Sequence, residues 1–196
     1  MKDLLDKNYW DKRYDDQTAS WDIGKPSRPL KEYIDQITNK DIAVLIPGCG
    51  NAHEAKYLLQ QGFTNITLID ISPVPVSAIE QKLAAYIGKQ LHVICDDFFN
   101  LQQKFDLILE QTFFCALDPL LRKDYAAKMY EVLKPGGKLV GVLFNRSFDE
   151  SPPFGGNKEE YEKLFSEKFQ VKTMEQCYNS IEKRKGNELF VILMKI

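Results

Sequence analysis

The chain has 196 residues, 44% hydrophobic and 28% charged, enough for one α/β domain with a full core. Its 26 basic and 28 acidic residues leave a net charge of −2, which removes the electrostatic case for a nucleic-acid binder. Cys49, Cys95, Cys115 and Cys177 form no C-x-x-C pair and have only His53 and His92 to join them, so neither a metal site of the usual spacing nor a disulfide framework is expected.

Residues 3–15 predict an amphipathic helix, with Leu4, Leu5, Tyr9 and Trp10 at helical spacing among charges. The N-terminus lacks the apolar core of a leader peptide, and no segment approaches a membrane span. A cytoplasmic protein without a membrane partner is therefore expected. A loop holding Trp21-Asp-Ile-Gly24 leads to a helix over 29–37. Then come a strand at 42–46, a helix at 52–61 stopped by Gly62, and a strand at 66–70. Ser72-Pro73 reads as an N-cap followed by proline at the first helical position, and opens a helix to about residue 86.

Further strands are expected at 91–94 and 105–110. Asp118-Pro119 starts another helix, which should end at Lys134-Pro-Gly-Gly137 before a strand at 138–144. After a loop with Pro152-Pro153, Asn157 caps a helix reaching Phe165. Strands at 169–176 and 188–195 form a hairpin whose connection, Glu182-Lys-Arg-Lys-Gly186, reads as a solvated turn.

Alternating strands and helices from 42 to 144 imply parallel strands joined by right-handed crossovers. The expected fold is a Rossmann-like, seven-stranded, mostly parallel sheet with helices on both faces and a C-terminal antiparallel hairpin. Residues 1–28 form an N-terminal helical cap within a single domain, 1–196.

The first strand runs into Pro47-Gly-Cys-Gly50, and the second ends in Asp70. Glycines there let the chain turn and a ligand approach closely. The acid falls about 20 residues on, where nucleotide-binding α/β folds place a ribose-binding carboxylate. A dinucleotide site wants a third glycine, and the run Gly48-Cys-Gly-Asn-Ala-His53 lacks it. A ligand without phosphates needs no such close approach, and S-adenosylmethionine fits. Asp70 is the leading site residue, because a carboxylate ending a buried strand needs partners. Cys49 and Cys115 read as packing residues. His53 reads equally as an orienting group or as a first-turn histidine, and Asp96 as a solvated neighbour of Asp97. Trp10 and Trp21 lie outside the α/β core, where their faces can cover a sulfonium.

The elements Trp21-Asp-x-Gly24, Pro47-Gly-Cys-Gly50, Asp70-Ile-Ser72, Asp97-Phe-Phe99, Gln111-Thr-Phe-Phe-Cys-Ala-Leu117, Lys134-Pro-Gly-Gly137 and Pro152-Pro153-Phe154 resemble, in this order, thiopurine S-methyltransferase-like enzymes. The halide/thiol methyltransferase branch is the nearest in look, and nearly the whole chain is covered. The resemblance implies a class I methyltransferase using S-adenosylmethionine and releasing S-adenosylhomocysteine. It places Trp10, Tyr14 and Trp21 in an aromatic cap over the cofactor. Gly48, Cys49 and Gly50 would lie under the methionine portion. Asp70, with Ile71 beside it, would hold the ribose, Asp97 and Phe98 the adenine, and Gln111 would lie nearby. Phe113, Phe114 and Phe144 are the candidate acceptor wall. No side chain is assigned as a catalytic acid or base, and no metal.

Tyr14 stands where the family has tryptophan, and Phe144-Asn145 where halide-methylating relatives tend to have Tyr-Pro. Gln111 replaces a charged or phenolic residue. The expected acceptor is a small molecule, a thiol or sulfide before a halide, and the expected assembly a monomer or weak homodimer. The alternatives are an O- or N-methyltransferase, a pyridine-nucleotide oxidoreductase, and a non-catalytic cofactor-binding module.

Overall fold

The computed structural model describes residues 5–16 and 18–196. Strands β1 (Val44–Pro47), β2 (Ile66–Asp70), β3 (Leu91–Cys95), β4 (Phe105–Gln111), β5 (Leu133–Phe144), β6 (Phe169–Gln176) and β7 (Glu188–Lys195) form one sheet in the order β3-β2-β1-β4-β5-β7-β6. The first five are parallel, and β7 runs antiparallel to both β5 and β6. Helices α1 (Lys7–Asp15), α2 (Arg28–Asp35), α3 (His53–Gln60), α4 (Pro73–Lys82), α5 (Arg122–Val132) and α6 (Lys158–Ser166) complete the fold.

Alternation along the strands sorts side chains into two cores. Val44, Ile46, Leu107, Leu109 and Val140 face Leu30 and Ile34 of α2 and Leu58 of α3. Leu45, Ile108, Leu139 and Leu143 face Tyr125 and Met129 of α5 and Tyr161 and Phe165 of α6. The strand order reverses between β1 and β4, which opens a crevice at the carboxyl ends of the strands.

The caps are those expected. The Ser72 hydroxyl accepts from Val74 N, and Asn157 Oδ1 accepts from Glu160 N at 2.9 Å. Several boundaries differ from expectation, among them β1 at Val44–Pro47 rather than 42–46 and α2 at Arg28–Asp35 rather than 29–37. Helix α1 starts at Lys7, because Asp6 Oδ1 accepts from Tyr9 N at 2.9 Å and fixes the N-cap there. Leu4 lies outside the described residues. Helix α4 stops at Lys82, where the chain passes into tight turns bonding Tyr86 N to Leu83 O and Leu91 N to Tyr86 O. The Lys134-Pro-Gly-Gly137 run ends no helix but belongs to β5. Proline disfavours helical backbone at the residue before it, and Leu133 pairs with Phe105 across a register shift. The helix at Asp118 opens with a 3₁₀ turn, Pro119–Leu121, before α5.

Candidate functional site

A cavity of about 810 Å³ lies over the carboxyl ends of the parallel strands. Trp10, Tyr14, Trp21, Gly48, Asp70, Ile71, Asp97, Phe98, Phe113 and Phe144 all line it. Cys49, Gly50, Gln111 and Phe114 do not.

These four lie beside the lining rather than in it. Gly50 spends its N–H on Asp70 Oδ2, at 3.0 Å. Cys49 is buried in the core on the α3 side, and burial pushes its thiol well up. Gln111 Oε1 is buried and has no hydrogen-bond partner among the described residues. Phe114 leaves the acceptor wall: it packs edge-on against Tyr125 and Tyr161, at centroid distances of 4.9 and 5.4 Å. The short 3₁₀ turn Phe114–Ala116 sends Phe113 into the cavity and Phe114 into the core.

Asp70 ends β2 and is 7% exposed. Its two oxygens accept from Gly50 N and Ser72 N, each at 3.0 Å. Burial raises its carboxyl, and the amides of Ser72, Gly50 and Ile71 pull it back. Each carboxylate oxygen has two acceptor sites, so capacity remains toward the cavity. Gly48, at φ +55°, makes the floor: a Cβ there would stand 2.4 Å from Phe113 Cδ2. Phe113 is fixed from behind by Glu110. That carboxylate, 1% exposed, accepts from Phe113 N at 2.8 Å, Phe114 N at 3.0 Å and Tyr125 Oη at 2.6 Å. Between Glu110 and Phe113, Thr112 is held at φ +62°, a left-handed conformation unusual for a threonine and situated on the cavity wall.

The cap lies opposite. Trp21 meets Trp10 and Tyr14 edge-to-face at 5.6 and 5.7 Å. Three polar ties hold the cap down. Asp11 Oδ1 accepts from Ser72 Oγ at 2.6 Å. Asp22 binds Asn51 and sits 2.8 Å from His53 Nε2. Arg184 Nη2 donates to Trp21 O at 2.9 Å.

Arg184 corrects the reading of its turn as merely solvated. Its side chain is 12% exposed, lines the cavity, and carries its guanidinium 5.4 Å from the centre of the Phe144 ring. Nη1 reaches Glu188 Oε1 at 3.4 Å. Arg13, also on the wall, was equally unmarked in the sequence. Nothing in a lysine- and arginine-rich surface pattern distinguishes an inward guanidinium from an outward one. The Cys115 thiol lies on the wall and donates to Thr112 O at 3.3 Å. Burial raises it, which favours the thiol over the thiolate. Among the described residues no cluster of His, Cys, Asp and Glu is placed to hold a metal, and no helix is long and apolar enough to cross a membrane.

A doubly wound sheet, a glycine floor, a carboxylate ending β2 and an aromatic lid define an S-adenosylmethionine-dependent methyltransferase. The profile of the family "Thiopurine S-methyltransferase (TPMT)" matches residues 5–193, and the chain belongs to that family. It is 31% identical over 161 residues to the probable thiol methyltransferase 2 of Arabidopsis thaliana, covering 79% of this chain and 70% of that one. It is 29% identical over 196 residues to the thiocyanate methyltransferase 1 of Brassica oleracea, covering 96% and 85%. Its fold resembles the Burkholderia thailandensis 1,6-didemethyltoxoflavin-N1-methyltransferase, a structure with bound S-adenosylhomocysteine. There the TM-score is 0.77 at 18% identity, over 96% of this chain and 86% of that one.

Proposed function

We propose that this enzyme methylates small organic thiols, taken as thiolates, and that Arg184 holds the sulfur anion. Arg184 carries the reading. A guanidinium has five donors and is always charged. Two nitrogens engage Trp21 O and Glu188, and donors remain for an anion beside Phe144. Leu117, Leu121, Phe148, Pro152 and Pro153 continue this end of the wall as apolar surface. A cation set in an apolar wall suits an anion with an apolar body better than a small hydrated halide, whose desolvation has fewer compensations. The hydroxyl that Phe144 lacks would have been one of them.

The floor fits the cofactor. Gly48 lets the Phe113 ring pack against the turn where a Cβ would stand, Asp70 offers acceptors to ribose hydroxyls, and Asp97 with Phe98 offers an acceptor and an apolar face to adenine. When bound, S-adenosylmethionine supplies a methyl group already activated on a sulfonium. The chain's own part is to line up donor and acceptor and to exclude water from the thiolate. Once the acceptor arrives ionised, no side chain need take its proton.

The test is an acceptor panel followed by S-adenosylhomocysteine release. Alkyl and aryl thiols should show higher kcat/KM than hydrosulfide, iodide, bromide or chloride. Rates should climb with pH toward an ordinary thiol pKa of about 8.5. A halide turned over more efficiently than every thiol would overturn the reading.

Asp70→Asn removes the charge but keeps one acceptor. It should weaken S-adenosylhomocysteine binding by about tenfold in calorimetry, the difference between charged and neutral hydrogen bonds. In the wild type, acidification through the raised Asp70 carboxyl should have the same sense. Ribose hydroxyls favour the ionised form, so affinity is full above that pKa and falls below it. Wild-type affinity in a folded Asp70→Asn protein would remove Asp70 from the ribose.

A further inference from the structure

Trp10, Arg13 and Tyr14 share one face of α1, at the spacing that aligns side chains along a helix, and all three line the cavity. That face lies over the glycine turn: a Cβ on Gly50 would stand 3.1 Å from Tyr14 Oη. The Arg13 guanidinium rests 5.4 Å from the centre of the Trp21 ring, and its Nη2 donates to Thr18 O at 3.0 Å. Its Nε is shut off from solvent and has no acceptor among the described residues. Of the carboxylates on the cavity wall, Asp96 accepts from Asp97 N and Asn100, and Asp97 from Phe99 N. Asp6 accepts from Tyr9 N and Asn8, Asp70 from Gly50 N and Ser72 N, and Asp22 from Gly24 N, Asn51 and His53. A permanent cation on a cavity wall with a buried, unused donor is costly until an anion meets it.

Two anionic groups enter a cavity of this kind, the acceptor's sulfur and the carboxylate of the cofactor's amino-acid end. Arg184 stands with Phe144, and the adenine-side residues Asp96 and Asp97 follow β3. Arg13 stands next to Tyr14, whose hydroxyl reaches the glycine turn, where the amino-acid end belongs.

We infer that Arg13 binds the methionine carboxylate of the cofactor, so that the cap recognises the cofactor by charge as well as by aromatic contact. This goes beyond the thiol reading and needs only that the cofactor occupy the cavity. Arg13 is a binding residue here and takes no part in the transfer itself.

The experiment compares two ligands on two proteins without any acceptor. S-adenosylmethionine and decarboxylated S-adenosylmethionine differ by the carboxylate alone. Wild type should prefer the first by about 10- to 100-fold, the span of a charged hydrogen-bonded contact. Arg13→Met should lose most of that preference, with its affinity for the decarboxylated ligand changed by less than about threefold. Arg13→Lys, which keeps the charge but not the fork, should recover part of it. Equal weakening toward both ligands would make Arg13 a structural prop of the cap and overturn the assignment. Unchanged cofactor affinity with a raised thiol KM would overturn it in favour of an acceptor contact. The thiol reading stands or falls separately, on the acceptor panel.

Discussion

Arg184→Met should lower kcat/KM for thiols by about 100-fold, mainly through KM, while S-adenosylhomocysteine affinity falls far less. The guanidinium neutralises the acceptor before the methyl moves, so its loss removes ground-state as well as transition-state binding. The pH profile should shift too. Without a cation beside the sulfur, the bound thiol ionises less readily, and the rate limb should move to higher pH. Two complications are built in, the first being that the substitution also frees Trp21 O, one of the ties of the cap. Glu188 is 4% exposed, already raised by burial, and would lose its ion-pair partner. A buried carboxylate left alone is destabilising. The paired variant Arg184→Met/Glu188→Gln removes that burden and should regain thermal stability without regaining activity. Activity near wild type in either folded variant would take Arg184 out of acceptor binding.

Gly48→Ala should be at least as damaging, but through the cofactor. The new methyl would stand 2.4 Å from Phe113 Cδ2 and 2.9 Å from Cγ. The ring has little freedom to yield. It packs edge-on against Phe98 at 5.3 Å and near Tyr125 at 6.1 Å, and its amide is held by Glu110. Alanine at φ +55° adds about 1–2 kcal/mol of backbone strain. Displacing Phe113 disturbs donor and acceptor walls together, and misplacement by about 1 Å can cost on the order of 100-fold in rate. Calorimetry should show weakened S-adenosylhomocysteine binding, and kcat/KM should fall by that order. A folded Gly48→Ala protein with normal affinity and turnover would mean that Phe113 forms no essential wall.

Legibility in the sequence followed the range of the forces involved. Strands β2, β6 and β7 lie where apolar patterning put them, and Ser72 and Asn157 cap the helices they precede, because alternation and capping are local. Gly48 and Asp70 could be placed at one crevice from the strand pattern, and the family resemblance added Asp97; all three line the cavity. The border of α5 and β5 was not, since the extended Leu133 depends on pairing with Phe105, far off in the chain. Phe113 and Phe114 are alike in sequence and part company only in the turn after β4. Arg184 was hidden because the turn between β6 and β7 reaches the cavity only through the β5-β7-β6 order, which swings it beside Phe144.

The cap has an energetic character of its own. Helix α1 contains no buried residue; the cap it forms with the following loop is held by a polar tie from Asp11 to Ser72, by ties from Asp22 to Asn51 and His53 and from Trp21 O to Arg184, and by the aromatic contacts of Trp21. Lifting it would trade those bonds for bonds to water and uncover the aromatic faces of Trp10, Tyr14 and Trp21, a smaller apolar area than the two cores of the sheet hold. Denaturant sensitivity and heat capacity both scale with the surface uncovered, so such an opening has a small m-value and a small ΔCp. Opening of the cap would thereby be separated from unfolding of the sheet. Ligand exchange through such an opening would leave the core of the sheet intact.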